Sequence, residues 1–308
     1  MNWLFFFLIA PGFLWSLAIG LLASWFDRKI TARLQWRQGP PIYQPLADLI
    51  KLFGKEVCVP EGGLRWLFLL APLLAFAAVL ISSTILGVSN LDISEGFIGD
   101  LIVVVYLLTV PSLALIMAGS ASRNPLAALG ASREMKLILA YELPFLIALF
   151  TLLMKVRSVM LGDFINYQAT VGWLGLSWSG LIAFVVVLLV FQAKLGLVPF
   201  DIAEAEQEIM AGPLLEYSGA PLALFRLAKT MLYYVLPIIL ITLFFGGGQI
   251  SSWLGVLALI IKYVIILTLM VLVKNTAPRL RIDQAVRFFW GPWTLLALLG
   301  FVLALIGY

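Results

Sequence analysis

Run after run of about 20 apolar residues sets the first limit on this chain, because each is long enough to cross a hydrocarbon core about 30 Å thick. A soluble domain carries close to a quarter charged residues, whereas this chain is 63% hydrophobic and 12% charged. Its mean hydropathy is +1.07. The pattern predicts an all-α, polytopic integral membrane protein forming one transmembrane domain over residues 1–308. It places about eight spans, roughly at 2–26, 66–89, 97–120, 136–154, 174–195, 220–245, 252–273 and 289–307. The loops between them are too short for a soluble domain. The opening Trp3-Leu4-Phe5-Phe6-Phe7 precedes any positive charge and reads as a retained first span, without the basic n-region of a secretory signal.

Basic residues in such a chain report sidedness. Arg28, Lys29, Arg33, Arg37, Lys51 and Lys55 fall in the first loop (about 27–65), and Arg123 and Arg133 in the third (about 121–135) with Lys136 beside it. Lys274, Arg279, Arg281 and Arg287 fall in the seventh (about 274–288). The intervening loops carry Lys155 and Arg157 against Asp92, Glu95, Asp100 and Asp163. The tally predicts a multi-pass protein of the cell membrane with both termini outside and the odd-numbered loops in the cytoplasm. The net charge of +4 therefore marks topology and not nucleic-acid binding.

The chain has no histidine and one cysteine, Cys58. An intrachain disulfide, a cysteine-rich cluster, histidine-ligated haem and an imidazole relay are all excluded. Proton handling would fall to Asp, Glu, Lys, Tyr and water.

Carboxylates gather in the fifth loop (about 196–219). Asp201, Glu204, Glu206, Glu208 and Glu216 are five of the chain's 16 acids, and no basic residue stands among them. If the segment winds as a helix from Asp201 to Gly212, then Asp201, Glu204 and Glu208 fall within about 60° of one another while Glu206 points away. Crowded carboxylates raise the pKa of at least one member. Asp201 followed by Glu204 also has the spacing of a helix-capping box, which would explain two of the acids and leave the rest.

Other outliers are polar groups in apolar runs. Glu142 stands about 7 Å inside the expected fourth span, just before Pro144, which removes a backbone hydrogen bond beside it. Intramembrane acids mark ion paths or pin helices to a basic partner. Arg226 and Lys229 open the sixth span on one face, either snorkelling or supplying counter-charges to the acidic loop. Lys262 lies near the middle of the seventh span, suited to a transport role or to a bridge with a neighbouring subunit. In the first loop, Pro45 begins a helix whose Leu46, Leu49, Ile50 and Phe53 share one face, with Asp48, Lys51 and Lys55 opposite. Such an amphipathic helix lies in the lipid interface, docks a cytoplasmic partner together with Arg37, or does both.

Two stretches carry a family resemblance. Gln44-Pro-Leu-Ala-Asp-Leu-Ile-Lys-Leu-Phe-Gly-Lys-Glu56 resembles the first cytoplasmic loop of the membrane subunit of respiratory complex I that adjoins its hydrophilic arm. Pro199-Phe-Asp-Ile-Ala-Glu-Ala-Glu-Gln-Glu208, followed by Glu216-Tyr-Ser-Gly219, is similar to that family's fifth loop. The compressed Arg37-to-Pro45 run, with Arg133-Glu-Met-Lys-Leu-Ile138 and Tyr141-Glu-Leu-Pro144, looks closer to the homologous subunit of group 4 membrane-bound nickel–iron hydrogenases.

The resemblance implies a non-catalytic subunit. It would anchor a redox module and couple ferredoxin-linked hydrogen evolution to movement of H⁺ or Na⁺ along a path through Glu142, Asp201, Glu204, Glu206, Glu208 and Glu216. Lys262 joins that set on its depth alone. The nickel–iron centre and iron–sulfur clusters would lie in the hydrogenase large and small subunits, with antiporter-like membrane subunits as further partners. The alternative within the family is a complex I-type subunit coupling quinone or sulfane sulfur reduction to pumping. Outside it stand a lone ion transporter, which would be expected to show an internal repeat, and a structural anchor.

Overall fold

The computed structural model describes residues 7–92, 96–248 and 253–307. The expected beginning of the first span, Glu95 and the first residue of the seventh span lie outside the described residues. Within them the long elements are all helices: α1 (Phe13–Leu34), α2 (Gln44–Phe53), α3 (Arg65–Leu91), α4 (Asp100–Leu107), α5 (Val110–Ala121), α6 (Pro125–Val156) and α7 (Leu161–Val171) form the first part. Then come α8 (Trp178–Lys194), the single turn α9 (Glu206–Ile209), α10 (Gly219–Phe244), α11 (Trp253–Thr276), α12 (Ile282–Phe288) and α13 (Thr294–Ile306). Among the described residues, six helical stretches have the length and composition to cross a membrane: α3, α4 with α5, α6, α10, α11, and α12 with α13. The shorter α8 is apolar too. Helix α1 carries Asp27, Arg28, Lys29 and Arg33 in its last turns.

Helix α10 is the post around which the bundle is built. Its most apolar stretch is 89% buried, against 22% for α11 and for the last helix. A helix that is apolar all round belongs inside, and α10 is apolar from Met231 to Phe244 with Tyr233, Tyr234 and Thr242 as its polar exceptions. It packs against α3, α1 and α2, while α6 packs against α5, α8 and α13.

Four expected boundaries shift, the first where α1 runs on to Leu34, eight residues past the expected end of the first span. The third loop is nearly all helix: Asn124 accepts a hydrogen bond from the Leu126 backbone N–H, Pro125 occupies the first turn, and α6 runs unbroken for 32 residues. At 1.5 Å per residue that is about 48 Å, so roughly a third of α6 lies beyond the hydrocarbon or is absorbed by tilt. The third span breaks between α4 and α5 just ahead of Pro111, and the last helix begins seven residues early, at Ile282, before a π-helical turn through Gly291 and Pro292.

The odd-numbered loops meet at one end of the bundle, as the charge tally requires. Leu64 N–H donates to Ala121 O, Ser218 Oγ donates to Glu56 O, and Leu280 N–H donates to Pro199 O. Gly219 has φ of +62°, and a Cβ there would stand 2.7 Å from the Lys55 and Glu56 carbonyl oxygens. The fifth loop is thus sealed onto the first.

Candidate functional site

The stretch from Pro199 to Gly219 does not wind into the expected helix. Phe200, Ile202, Ala203 and Ala205 are all buried, and burying four residues in six draws the backbone between the helix ends in an irregular path. Only Glu206–Ile209 makes an α-helical turn. The capping box between Asp201 and Glu204 is not formed, and Asp201, Glu204 and Glu208 do not share a helical face. Each instead meets its own partner: Asp201 accepts from Arg279 at 2.5 Å, Glu204 from Lys229 at 2.8 Å, and Glu208 from Arg133 at 2.6 Å. Glu216 accepts from the Asn124 amide at 2.5 Å, so it holds the residue that caps α6. The side chain of Glu206 lies outside the description. Of the two expected counter-charges, Lys229 makes the ion pair, and Arg226 is exposed and acts on Glu204 at longer range.

These pairings replace mutual repulsion as the main control on charge. Burial pushes Asp201 above the ordinary carboxylate range, with Arg279 and Lys229 offsetting part of the rise and Glu204 adding a small repulsion. Burial pushes Glu204 up as well, but Lys229 and Arg226 outweigh it and leave that carboxyl below its ordinary value. Two acids three residues apart are therefore biased in opposite directions.

Asp201 and Glu204 face a cavity of about 50 Å³ walled by α5, α6, α8 and α10, and Glu134, Lys194, Arg226, Lys229 and Ser112 also line it. That volume holds a few waters. A wider crevice of about 330 Å³ beyond Asp201 is lined by Arg133, Glu208, Arg279 and Asp283. Asp201 lines both, so carboxylates and ammonium groups line two neighbouring cavities between the loop surface and the bundle.

At the inner end stands a pair of which the sequence showed one half. The ammonium of Lys194, with 1% of its side chain exposed, lies 3.4 Å from Glu142 Oε2, whose side chain is 24% exposed. The same Nζ sits 5.0 Å from the ring centres of both Tyr141 and Phe145. The carboxylate and the two π-faces together offset the cost of burying the cation. Glu134, two turns before Glu142 on α6, is buried, with the Ser112 hydroxyl beside its carboxyl. Lys194 and Glu134 were not singled out from the sequence. Lys194 closes an apolar run where snorkelling is expected, and Glu134 falls in what looked like a loop. The Asn124-Pro125 helix start was the signal that would have placed Glu134 inside a helix.

Lys262 belongs elsewhere. Its Nζ donates to Phe245 O at 2.6 Å and lies 5.0 Å over the Trp173 ring. It ties α11 to the carbonyl end of α10, about 39 Å along that helix from the acidic loop. Near it, Gln168 and Asn90 bond the remaining groups of the turn at Gly246–Gly248. A second knot joins α1 to α11 and α10: Lys274 donates to both oxygens of buried Asp27, at 3.0 and 2.7 Å, and the Tyr233 hydroxyl donates to one of them at 3.0 Å.

The first-loop helix forms where the pattern placed it, over Gln44–Phe53 with Pro45 in its first turn. Pro45 and Leu49 are buried, whereas Leu46, Ile50 and Phe53 face outward at 45%, 63% and 49% exposure. Asp48 accepts from Arg28 and Gln44, both at 2.8 Å. Burial raises that carboxyl, and those two bonds more than offset the rise and leave it below the ordinary range. Arg37, Lys51 and Lys55 are exposed on the same end of the bundle. Among the described residues, no group of three or more Cys, Asp or Glu is placed to hold a metal ion.

Comparison with known proteins puts this geometry in a family. The family model described as NADH dehydrogenase matches residues 7–305. The H subunit of the NADH-quinone oxidoreductase of Carboxydothermus hydrogenoformans is 34% identical over 287 residues, covering 88% of this chain and 79% of the relative. Its counterpart of the same description in Rubrobacter xylanophilus is 32% identical over 293 residues, covering 89% and 86%. Among solved structures, a chain of the membrane-bound sulfane sulfur reductase, an archaeal respiratory membrane complex, superposes with a TM-score of 0.90 at 28% identity. That match covers 99% of this chain and 100% of the other.

Proposed function

The chain belongs to the NADH dehydrogenase family as a relative of the NADH-quinone oxidoreductase membrane subunits described above, and from that premise we propose that it couples a redox reaction on the cytoplasmic side to ion movement through the membrane. It is the membrane subunit on which a hydrophilic, cluster-bearing module docks, and it contributes no redox centre of its own. The observation that carries this reading is the Glu142–Lys194 pair, whose buried lysine lines a small cavity with Glu134, Asp201 and Glu204. A purely structural anchor would not need ionisable groups lining cavities between the loop surface and the interior of the bundle.

Loading starts at the outer crevice. Asp201, held above the ordinary carboxylate range, takes up a proton more readily than Glu204, which stays ionised against Lys229. The cavity waters carry the proton inward toward Glu134 and the Glu142–Lys194 pair. Antiporter-like membrane subunits beside this chain are the natural receivers. The outward row Leu46, Ile50 and Phe53, with Arg37, Lys51 and Lys55 nearby, suits the docking of the hydrophilic module.

Reduction of a respiratory acceptor takes precedence over the hydrogen evolution suggested by the compressed Arg37-to-Pro45 run. The matching proteins above are named for quinone and sulfane sulfur reduction. Between those acceptors, sulfane sulfur is favoured by length: this chain covers all of the sulfane sulfur reductase chain but 79% and 86% of the quinone-linked relatives. The test is to isolate the complex through a tag on this chain, reconstitute it in liposomes, and offer polysulfide, a quinone analogue or protons as acceptor. Polysulfide reduction with acidification of the lumen supports the proposal. Hydrogen evolution with nickel in the preparation returns the chain to the hydrogenase branch, and turnover without ion movement refutes the coupling role.

A further inference from the structure

We propose that Lys194 is itself a proton carrier: its amine takes protons from Glu134 on one side and passes them to Glu142 on the other. The proposal rests on the coupling role above and names the group through which that coupling runs.

The geometry of α6 and α8 supports it. Glu134 and Glu142 lie eight residues apart on α6, about 12 Å along the axis, too far for direct transfer between carboxyls. Lys194 enters from α8 and touches both environments, since it lines the cavity with Glu134 while its Nζ lies 3.4 Å from Glu142 Oε2. That separation is wider than the 2.7–2.9 Å or so of a tight charge-assisted hydrogen bond. The rings of Tyr141 and Phe145, each 5.0 Å from Nζ, give the cation somewhere to rest while it leaves one carboxylate for the other. The four-carbon stem supplies the reach.

The transfer balances in charge and atoms. The Lys194 ammonium gives a proton to the Glu142 carboxylate, leaving a neutral amine and a neutral acid with no attraction between them. Freed, the amine turns to the cavity and takes a proton from the Glu134 acid, which becomes a carboxylate. Glu142 releases its proton onward and recovers its charge, and the ammonium returns to it. Cavity water reloads Glu134 from the Asp201 side. One proton has moved and every residue is back where it began.

A clamp made of two opposite charges and a carrier that must deprotonate respond differently to substitution. Arginine keeps the positive charge but does not give up its proton in proteins. The whole complex is reconstituted in liposomes, and lumen acidification is followed with a trapped pH dye during turnover. Carrier action predicts that Lys194→Arg assembles and lowers proton uptake at least tenfold. It predicts the same loss for Lys194→Met, which removes the amine and leaves Glu142 in place. Uptake within twofold of the unsubstituted complex in either variant overturns the proposal; if the arginine variant fails to assemble, the methionine variant decides. Absence of uptake in the unsubstituted complex refutes the coupling role, and this inference with it.

Discussion

Replacing Lys229 with methionine keeps most of the length of the side chain and removes the charge that faces Glu204. In the native protein the ammonium donates to Glu204 Oε2 at 2.8 Å, with 25% and 23% of the two side chains exposed. Breaking a fully buried pair by deleting one partner costs about 3–5 kcal/mol. Solvent reaching a quarter of each group, and the Arg226 charge that remains, reduce that to about 1–3 kcal/mol at pH 7. The pH dependence gives the sharper signature. Glu204 ionises below its ordinary value of 4.5 in the folded protein, so its stabilising contribution is complete above that pH and is lost as pH falls through the folded value. In Lys229→Met the burial stays and the main attraction goes, so the folded pKa rises above the unfolded one. The charged form then costs stability at neutral pH, and the cost fades as acid neutralises it. Unfolding of the detergent-solubilised protein, followed by denaturant or heat from pH 7 to pH 4, should show a gap between native and variant that closes on acidification. A gap below about 0.5 kcal/mol at pH 7, or one that does not change with pH, would refute the assignment of Lys229 as the group that holds Glu204 ionised.

Asp27→Ala should destabilise the protein by about 1–3 kcal/mol, because it strands the Tyr233 hydroxyl and a Lys274 that solvent partly reaches. The double replacement Asp27→Leu with Lys274→Met should recover most of that loss in the same unfolding measurement. Gly130→Ala should cost about 1–3 kcal/mol, since a Cβ there would lie 2.6 Å from Pro213 Cδ and 2.9 Å from Gly212 Cα. Limited proteolysis of the 199–218 loop would report the displacement.

Much of this molecule could be read from the chain alone. Apolar length pointed to a polytopic helical bundle, and the segregation of Arg and Lys to which loops share an end, because membrane insertion responds to those same quantities. The amphipathic helix at Pro45 was legible because its period and its proline agree. Capping and tertiary burial were harder to see. Asn124-Pro125 starts α6 about ten residues before its apolar run, and that hid Glu134. The acidic stretch has the local spacing of a helix, yet Phe200 and Ile202 are drawn into the core, and tertiary burial overrode the local preference. Pairing between distant segments, such as Asp201 with Arg279 or Lys194 with Glu142, leaves no trace in the spacing of a single sequence. Lys262 is similar: its depth left a transport role and a bridge to a neighbouring subunit both open, and its bonds to the carbonyls past the end of α10 leave no trace in the sequence.

The central claim is that ion movement runs through the acid at the inner end of this network. Proton uptake by liposomes carrying the complex, measured per acceptor molecule reduced, tests it in one experiment when native protein is compared with Glu142→Gln. The account predicts that the variant assembles and that its ratio falls at least tenfold. An unchanged ratio in Glu142→Gln would contradict it.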